Sequence, residues 1–579
     1  MKPAPASTLD FRNTNTLWCS VLVETLVRCG LRQAVISPGS RSAPLTFALA
    51  RHAGIETIPV LDERSASFFA LGLAKQHRRP VALVCTSGTA AANFLPAVVE
   101  AHESGVPLLV LTADRPPELR DCHSGQTIDQ VKIYGGYVNF QHELAVPQAT
   151  LQMLRYLRQT VAYAFARTSL PAAGAVHLNC PFRDPLVPLP DQAALPTASE
   201  MRGFFDGLRP PAGPVATGLA GGLRFKQRGI IVVGPIESAA GGRCAENVGR
   251  ISRALGWPVL ADALSPVRMQ ARSAGAVVAH YDTMLRNDKV ATMLRPEQVI
   301  CLGGWPTSKV LRMWLQQADP EVVLVTDRAT NEDALHLRTR VESANPAVWG
   351  GHFRGRRALS GYAKEWLRTD ARVGRALNAA LKSVKNLVEP VWPALLAASL
   401  PAGTPCFFAS SMPVRDAEYL WPLGNRGQRI FFNRGANGID GTLSTALGVA
   451  HGGAPATLVT GDLSLLHDTN GFLTVPKLRG SLTILLINNN GGGIFGHLPV
   501  AQFEPPFEEF FATPQNVDFA RLCATYGVAH RVVKSAAHLA QALAKLPQRG
   551  VRVLELRTDR RRDAAWRKET FAAVAAKLA

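Results

Sequence analysis

Short apolar runs of strand length alternate with amphipathic stretches along the whole chain, and this alternation restricts the fold more than any other feature. In the first third the apolar runs are residues 34–37, 57–61, 81–86 and 108–112, separated by amphipathic stretches at 43–52, 65–77 and 89–104. A parallel strand covered on both faces reads as a continuous apolar run, and its next parallel neighbour is reached through a crossover helix. The pattern is therefore that of βαβ units. It recurs in the middle third at 230–234, 258–261, 299–303 and 322–326. It recurs again in the last third at 405–409, 429–432, 456–460, 482–487 and 551–556. A Pro/Gly-rich stretch over 183–229 reads as a linker, and a polar, mostly helical connector occupies 350–388. The expected architecture is α/β, with three doubly wound parallel-sheet domains over 1–190, 191–385 and 386–579.

Composition narrows the function classes. At roughly 150 residues per domain, 579 residues suit three or four domains. A hydrophobic content of 47% with 18% charged residues argues against disorder. The longest apolar runs are far short of a membrane span, and residues 1–10 hold no apolar signal core, so a cytoplasmic protein is expected. Nine cysteines without a C-x-x-C pair fit reduced thiols better than disulfides or a zinc site. The formal charge of +19 raises nucleic-acid binding as a function. The basic residues are dispersed, however, apart from 354–357 and 560–562, and no aromatic-interleaved RNA motif or zinc-finger spacing is present. No nucleic-acid partner is expected; small anionic substrates or a general surface arginine bias account for the charge.

Chemistry-bearing residues gather where strands end. Gly461-Asp462-Leu463 follows the run 456–460, and Asn488-Asn489-Asn490-Gly491 follows 482–487. Ligands of parallel α/β sheets bind at the carboxyl ends of strands. A carboxylate and a carboxamide there, beside glycines, suit a hard divalent cation holding a diphosphate. Alternatively, Asp462 caps the following helix and the asparagines make a turn.

Other strand ends carry arginine. Ser40 and Arg41 lie in a Pro-Gly turn that opens a helix, an arrangement suited to an anion. Arg115 ends another run, with Gln126 just beyond it, and the two offer planar donors for a carboxylate. Ser410-Ser411 with Arg415, and Arg434 in Asn433-Arg434-Gly435, have the same design. Four arginines at four strand ends imply substrates with several carboxylates. Glu63 sits between a strand and a helix, where it favours the helix dipole or, alternatively, protonates a buried heterocycle. Lys309 opens a helix in the middle third; His467 and His497 lack metal-ligand spacing and read as local structure. There is no Walker A loop and no G-x-S-x-G elbow.

Taken together, Ser37-Pro38-Gly39-Ser40-Arg41-Ser42, Leu61-Asp62-Glu63-Arg64, Ala113-Asp114-Arg115-Pro116, the run from Asn433 to Gly441 and the run from Asn488 to Phe495 resemble the thiamine-diphosphate enzyme superfamily. Within it they are similar to the menaquinone-pathway synthases, over essentially the whole chain. The resemblance implies pyrimidine-binding, central and diphosphate-binding domains in that order. It implies thiamine diphosphate with Mg²⁺ (or Mn²⁺) as cofactors, and 2-oxoglutarate and isochorismate as substrates. By the same resemblance Glu63 hydrogen-bonds the cofactor's aminopyrimidine ring, and Asp462, Asn489 and the Gly491 carbonyl hold the metal. Ser410, Ser411, Ile439, Gly461, Leu463 and Phe495 would contact the cofactor, Ile439 as an apolar wedge. Ser40, Arg41, Arg115, Gln126, Lys309, Ser411, Arg415, Arg434 and Phe495 would line the substrate pocket. The resemblance also implies a homo-oligomer, dimer or tetramer, in which Glu63 and the metal motif of one site come from different subunits. Two departures stand out: Leu463 occupies the third place of a motif that usually reads Gly-Asp-Gly, and Ser410 stands where related synthases often carry asparagine.

Overall fold

The structure, a computed structural model, describes residues 9–191, 193–211, 223–237, 241–328, 330–384, 387–424 and 426–578. It holds three six-stranded sheets, and every strand pairing is parallel. The chain divides into two compact bodies. One comprises Met1–Pro214, Asn433–His451 and Asp468–Lys477; the other comprises Val215–Phe432, Gly452–His467 and Leu478–Ala579.

The first body contains β1 (Gln33–Ile36), β2 (Glu56–Pro59), β3 (Val81–Cys85), β4 (Leu108–Asp114), β5 (Phe140–Glu143) and β6 (Ala175–Pro181). Their order across the sheet is β2-β1-β3-β4-β6-β5. The helix Glu63–His77 starts where Asp62 accepts the Ser65 N–H, as an N-cap should. Across it lies the helix Thr442–Ala450, and glycines set the separation of the two. A Cβ on Gly72 would fall 2.1 Å from the Thr445 carbonyl oxygen, and one on Gly448 2.2 Å from that of Phe69.

The second body contains two sheets. One is built from β7 (Gly229–Val233), β8 (Val259–Ala261), β9 (Val277–Val278), β10 (Gln298–Leu302), β11 (Glu321–Thr326) and β12 (Arg338–Ser343). Its order, β12-β11-β10-β7-β8-β9, is the doubly wound 3-2-1-4-5-6 arrangement. The other is built from β13 (Pro405–Phe408), β14 (Arg429–Phe431), β15 (Ala456–Gly461), β16 (Ser481–Asn488), β17 (Ala529–Val532) and β18 (Gly550–Arg557). Its order, β14-β13-β15-β16-β18-β17, repeats that of the first body's sheet. The connector is largely the helix Gly361–Lys382.

The sequence pattern predicts thirteen of the eighteen strands, and those it misses share a cause. β5, β9, β12 and β17 are all sheet edges. β5, β12 and β17 are largely half-buried or exposed, and β9 has only two residues, so none presents a long apolar run. The fifth, β6, is central and buried, but His177 and Asn179 interrupt it. Thr112 satisfies both, through contacts of 2.7 Å to His177 Nε2 and 2.9 Å to Asn179 Oδ1. β2 ends at Pro59, two residues before its expected end, and leaves Leu61 64% exposed. The expected linker after residue 183 is partly packed, since Met201, Phe204 and Phe205 are buried against the first body's core.

Candidate active site

In an open sheet the crevice lies where neighbouring strands send their connections to opposite faces. In the first body that point falls between β1 and β3. The turn after β1 carries Arg41, and the turn after β3 carries Ser87 and Gly88. Gly39 permits the close approach of these turns, because a Cβ there would lie 2.2 Å from Thr86 Cβ.

Arg41, Arg115 and Gln126 are brought together here. Arg115 Nη1 donates to Ser87 Oγ at 2.6 Å, and Gln126 Nε2 donates to the Ser87 carbonyl at 2.9 Å. Gln126 adopts a φ of +56° to do so. Arg41 Nη1 donates to the Phe182 carbonyl at 2.9 Å, while its buried Nε has no partner among the described residues. Burial lowers the Arg41 pKa, and the charge of Arg115 lowers it further. Two guanidiniums are thus held close enough to repel. Ser40 is exposed beside Arg41. Asp114 faces inward instead, accepting from Asn179 at 2.8 Å and pairing with Arg120 at 3.0 Å.

Glu63 is the first residue of its helix and is half-buried, so the helix-dipole reading holds for its position. Its charge reaches Cys85 at the end of β3, where burial and then Glu63 push the thiol pKa well up. Asn470 Nδ2 donates to Asp62 at 2.9 Å and anchors the start of that helix. In the same body, the backbone N–H groups of Gly435 and Ala436 donate to the buried Glu100 carboxylate at 3.0 and 2.7 Å. Arg434 and Ile439 flank that anchor, both half-buried.

The second body has its own switch point between β13 and β15. After β13, Ser410 is buried and Ser411 takes φ +75°, a conformation that costs a non-glycine residue about 1–3 kcal/mol. Ser411 opens the helix Met412–Leu420, and Arg415 Nη1 returns to the Ser411 carbonyl at 2.6 Å. Burial lowers the Arg415 pKa. After β15, the Asp462 side chain does two things. Its Oδ1 accepts the N–H of the next residue, Leu463, at 2.9 Å, and its Oδ2 reaches across to the Gly491 N–H at 2.8 Å. Gly461 has nothing within 4 Å of where a Cβ would sit, which leaves the approach to Asp462 open. A cleft of about 270 Å³ there is lined by Asp462, Leu466, Asn488, Asn490 and Arg557 among others.

The three asparagines after β16 have different fates. Asn488 Nδ2 donates to Glu555 at 2.7 Å, and Asn490, at φ +56°, donates to Asn516 at 2.8 Å. Both are occupied by structure. Asn489 is buried, its Nδ2 donates to Glu389 at 3.4 Å, and its Oδ1 has no partner among the described residues. Gly491 takes φ +137° under the Ala512 carbonyl, and its own carbonyl accepts the Gly493 N–H at 2.9 Å. A buried carboxylate and a buried orphan amide oxygen form a donor set fit for a divalent cation. No group of three or more His, Cys, Asp or Glu placed to hold a metal ion occurs among the described residues, so this mixed set carries the metal reading. Phe495 packs edge-on against Phe511 at 5.9 Å. Lys309 is an exposed first residue of the helix Lys309–Ala318.

Sequence reasoning passed over Ser87, Glu389, Asp416 and Arg567. Arg567, on the C-terminal helix Arg560–Ala576, pairs with Asp416 at 2.5 Å and Glu389 at 2.9 Å, with all three side chains buried. No spacing marks them, since Glu389 lies 100 positions from its partner Asn489 and Asp416 151 from Arg567. Part of the basic cluster at 560–562 is spent inside the fold: Arg560 donates to the Asn490 carbonyl at 2.9 Å, and Arg562 to that of Leu387 at 2.9 Å.

Three sequence families match in succession. Residues 19–133 match "Thiamine pyrophosphate enzyme, N-terminal TPP binding domain", 223–405 "Middle domain of thiamine pyrophosphate", and 416–556 "Thiamine pyrophosphate enzyme, C-terminal TPP binding domain". Fold and sequence together define a three-domain enzyme of the thiamine pyrophosphate (thiamine diphosphate) class. The chain is 50% identical over 574 residues to 2-succinyl-5-enolpyruvyl-6-hydroxy-3-cyclohexene-1-carboxylate synthase of Gloeothece citriformis, covering 97% of this chain and 98% of that one. It is 51% identical over 580 residues to the synthase of the same name from Trichormus variabilis, covering 98% and 99%. The chain belongs to this synthase family of thiamine pyrophosphate enzymes. Among solved structures, a thiamine diphosphate-dependent 4-hydroxybenzoylformate decarboxylase of Rhodococcus jostii superposes with a TM-score of 0.67 at 16% identity, over 94% of this chain and 99% of that one. A benzoylformate decarboxylase from Polynucleobacter necessarius gives the same score at 14% identity, over 94% and 98%. These two share the fold.

Proposed function

We propose that the chain catalyses the thiamine-diphosphate- and Mg²⁺-dependent decarboxylation of 2-oxoglutarate and joins the remaining succinyl unit to isochorismate, forming 2-succinyl-5-enolpyruvyl-6-hydroxy-3-cyclohexene-1-carboxylate for menaquinone synthesis. Its near-full-length relatives of that name support the reaction. The observation that carries it to the residues is the buried orphan Asn489 Oδ1, in the same turn whose Gly491 N–H is held by Asp462.

Asp462, Asn489 and the Gly491 carbonyl would hold the metal that the cofactor's diphosphate requires. Thiamine diphosphate, when bound, supplies the electron sink that lets a 2-oxo acid lose CO₂. Glu63 hydrogen-bonds the cofactor's aminopyrimidine ring. Ile439 and Phe495 present apolar surface to the cofactor, with Ser410, Ser411, Gly461 and Leu463 beside it. Arg41, Arg115 and Gln126 bind substrate carboxylate, which relieves the repulsion between the two guanidiniums. Arg415, Arg434, Ser40, Ser411 and Lys309 complete the substrate contacts. Carboxylates on both substrates give the separate arginines separate targets.

The working unit is a homo-oligomer in which Glu63 and the metal motif of one site come from different chains. We place it in the cytoplasm, a reading supported by nine cysteines that all remain free thiols. No helix among the described residues is long and apolar enough to cross a membrane.

Purified protein should release CO₂ from 2-oxoglutarate and consume isochorismate only with thiamine diphosphate and Mg²⁺ present. No turnover with cofactor shown to be bound, or a preference for pyruvate over 2-oxoglutarate, overturns the assignment. Glu63→Gln should nearly abolish activity while cofactor still binds with Mg²⁺.

A further inference from the structure

The two ends of a carboxamide are nearly the same shape and opposite in hydrogen-bonding character, so its partners decide which end faces a site. Asn489 leaves its oxygen without a protein partner while its nitrogen is engaged elsewhere. That engagement is with Glu389 Oε2 at 3.4 Å, on the short 3₁₀ turn Glu389–Val391. Glu389 is only 2% exposed, and a carboxylate so buried needs a counter-charge. Arg567 supplies it at 2.9 Å, and the Asp563 carboxylate accepts the Glu389 N–H at 3.2 Å, which fixes the turn.

Arg567 is itself buried, and its fork spans two acids. Nε donates to Asp416 Oδ1 at 2.7 Å and Nη2 to Oδ2 at 2.5 Å, while Nη2 also faces Glu389. Asp416 is the residue after Arg415, on the helix whose first turn springs from the strained Ser411. One guanidinium thus touches both the turn that orients Asn489 and the helix that carries Arg415.

We propose that Arg567 is a positioning residue joining the metal half-site to the substrate half-site: through Glu389 it orients the Asn489 carboxamide, and through Asp416 it sets the helix bearing Ser411 and Arg415. The proposal rests on the metal and substrate roles given above for Asn489 and Arg415. Each arm has its own consequence. Glu389→Leu frees the Asn489 amide to turn, and Mg²⁺ affinity falls about tenfold or more, the usual loss when a residue orienting a metal ligand is removed. Glu389→Gln keeps an acceptor oxygen for Asn489 and stays within about threefold of the parent. Asp416→Asn leaves Mg²⁺ affinity within about threefold but raises KM for 2-oxoglutarate about tenfold. Arg567→Lys keeps the charge, loses the fork and shifts both quantities.

The experiment is calorimetric titration of Mg²⁺ into protein saturated with thiamine diphosphate, with KM and kcat for 2-oxoglutarate measured on the same preparations. Melting curves establish that each variant is folded, and Asp416→Asn and Arg567→Lys keep the test decisive where Glu389→Leu does not fold. The proposal stands if the two arms separate as described. It falls if folded Glu389→Leu, Asp416→Asn and Arg567→Lys keep parental Mg²⁺ affinity and KM and lose only thermal stability, which is what a purely structural ion cluster would do. A parent protein that binds thiamine diphosphate without Mg²⁺ would instead overturn the metal site itself, and the proposal with it.

Discussion

Lowering the pH should release the metal well before it unfolds the protein. Burial raises the Asp462 pKa from the ordinary 3.8 to about 6, against the hydrogen bonds from Leu463 and Gly491 that favour the anion. The difference corresponds to about 3 kcal/mol against the charged form at neutral pH, for a residue only 5% exposed. A carboxyl raised in this way helps the fold while it is protonated. In the metal-free protein that contribution is complete below pH 3.8 and is lost as the pH rises through 6. A divalent cation reverses the balance, because it binds the carboxylate alone. With a pKa near 6, about nine-tenths of Asp462 is ionised at pH 7 and about one-tenth at pH 5, so apparent Mg²⁺ affinity should fall about tenfold between them. An aspartate at 3.8 would lose almost nothing over that range. Calorimetric titrations of Mg²⁺ into protein with thiamine diphosphate, run from pH 8 to 5, would measure this once the pH dependence of Mg²⁺ binding to free cofactor is subtracted. Asp462→Asn is the control and should bind weakly at every pH. A flat affinity from pH 7 to 5 in the parent would refute the reasoning.

Other outcomes follow from the same geometry. Gly72→Ala places a methyl 2.1 Å from the Thr445 carbonyl oxygen and should destabilise the first body by about 1–3 kcal/mol, visible as a lowered Tm; an unchanged melt would contradict the helix crossing. Ser411→Gly removes the strain of φ +75° and should gain about 1 kcal/mol in denaturant unfolding while losing activity, so a less stable variant would speak against stored strain. Ser87→Ala deletes the acceptor of Arg115 Nη1 and should raise KM for 2-oxoglutarate about tenfold with little change in kcat, checked by steady-state kinetics. Chelating the metal should abolish the stabilisation that thiamine diphosphate otherwise confers, about 2.7 kcal/mol at a hundred times its Kd, read as loss of the rise in Tm.

The candidate site residues were largely legible in the chain. Strands buried on both faces announce themselves as apolar runs, and residues at their carboxyl ends face the ligand crevice by topology alone, so Arg41, Arg115, Ser411, Asp462 and Asn489 stood out. Edge strands escaped because exposure removes the apolar run, and β6 escaped because its polar residues are satisfied by a neighbouring strand. The resemblance singled out Asn489 from its identical neighbours, and only the tertiary structure supplies the physical reason. Residue type and spacing are the same for Asn488, Asn489 and Asn490, and what distinguishes them is the partner each side chain meets. The same holds for Glu389, Asp416 and Arg567, unremarkable in sequence and scattered along it. Burial removes the water that would otherwise neutralise their importance, and the fold then makes each charge answerable to the others. Sequence determined which chemistry the chain carries to the sheet ends; packing decided which of those groups are free to perform it and which are held in place to support them.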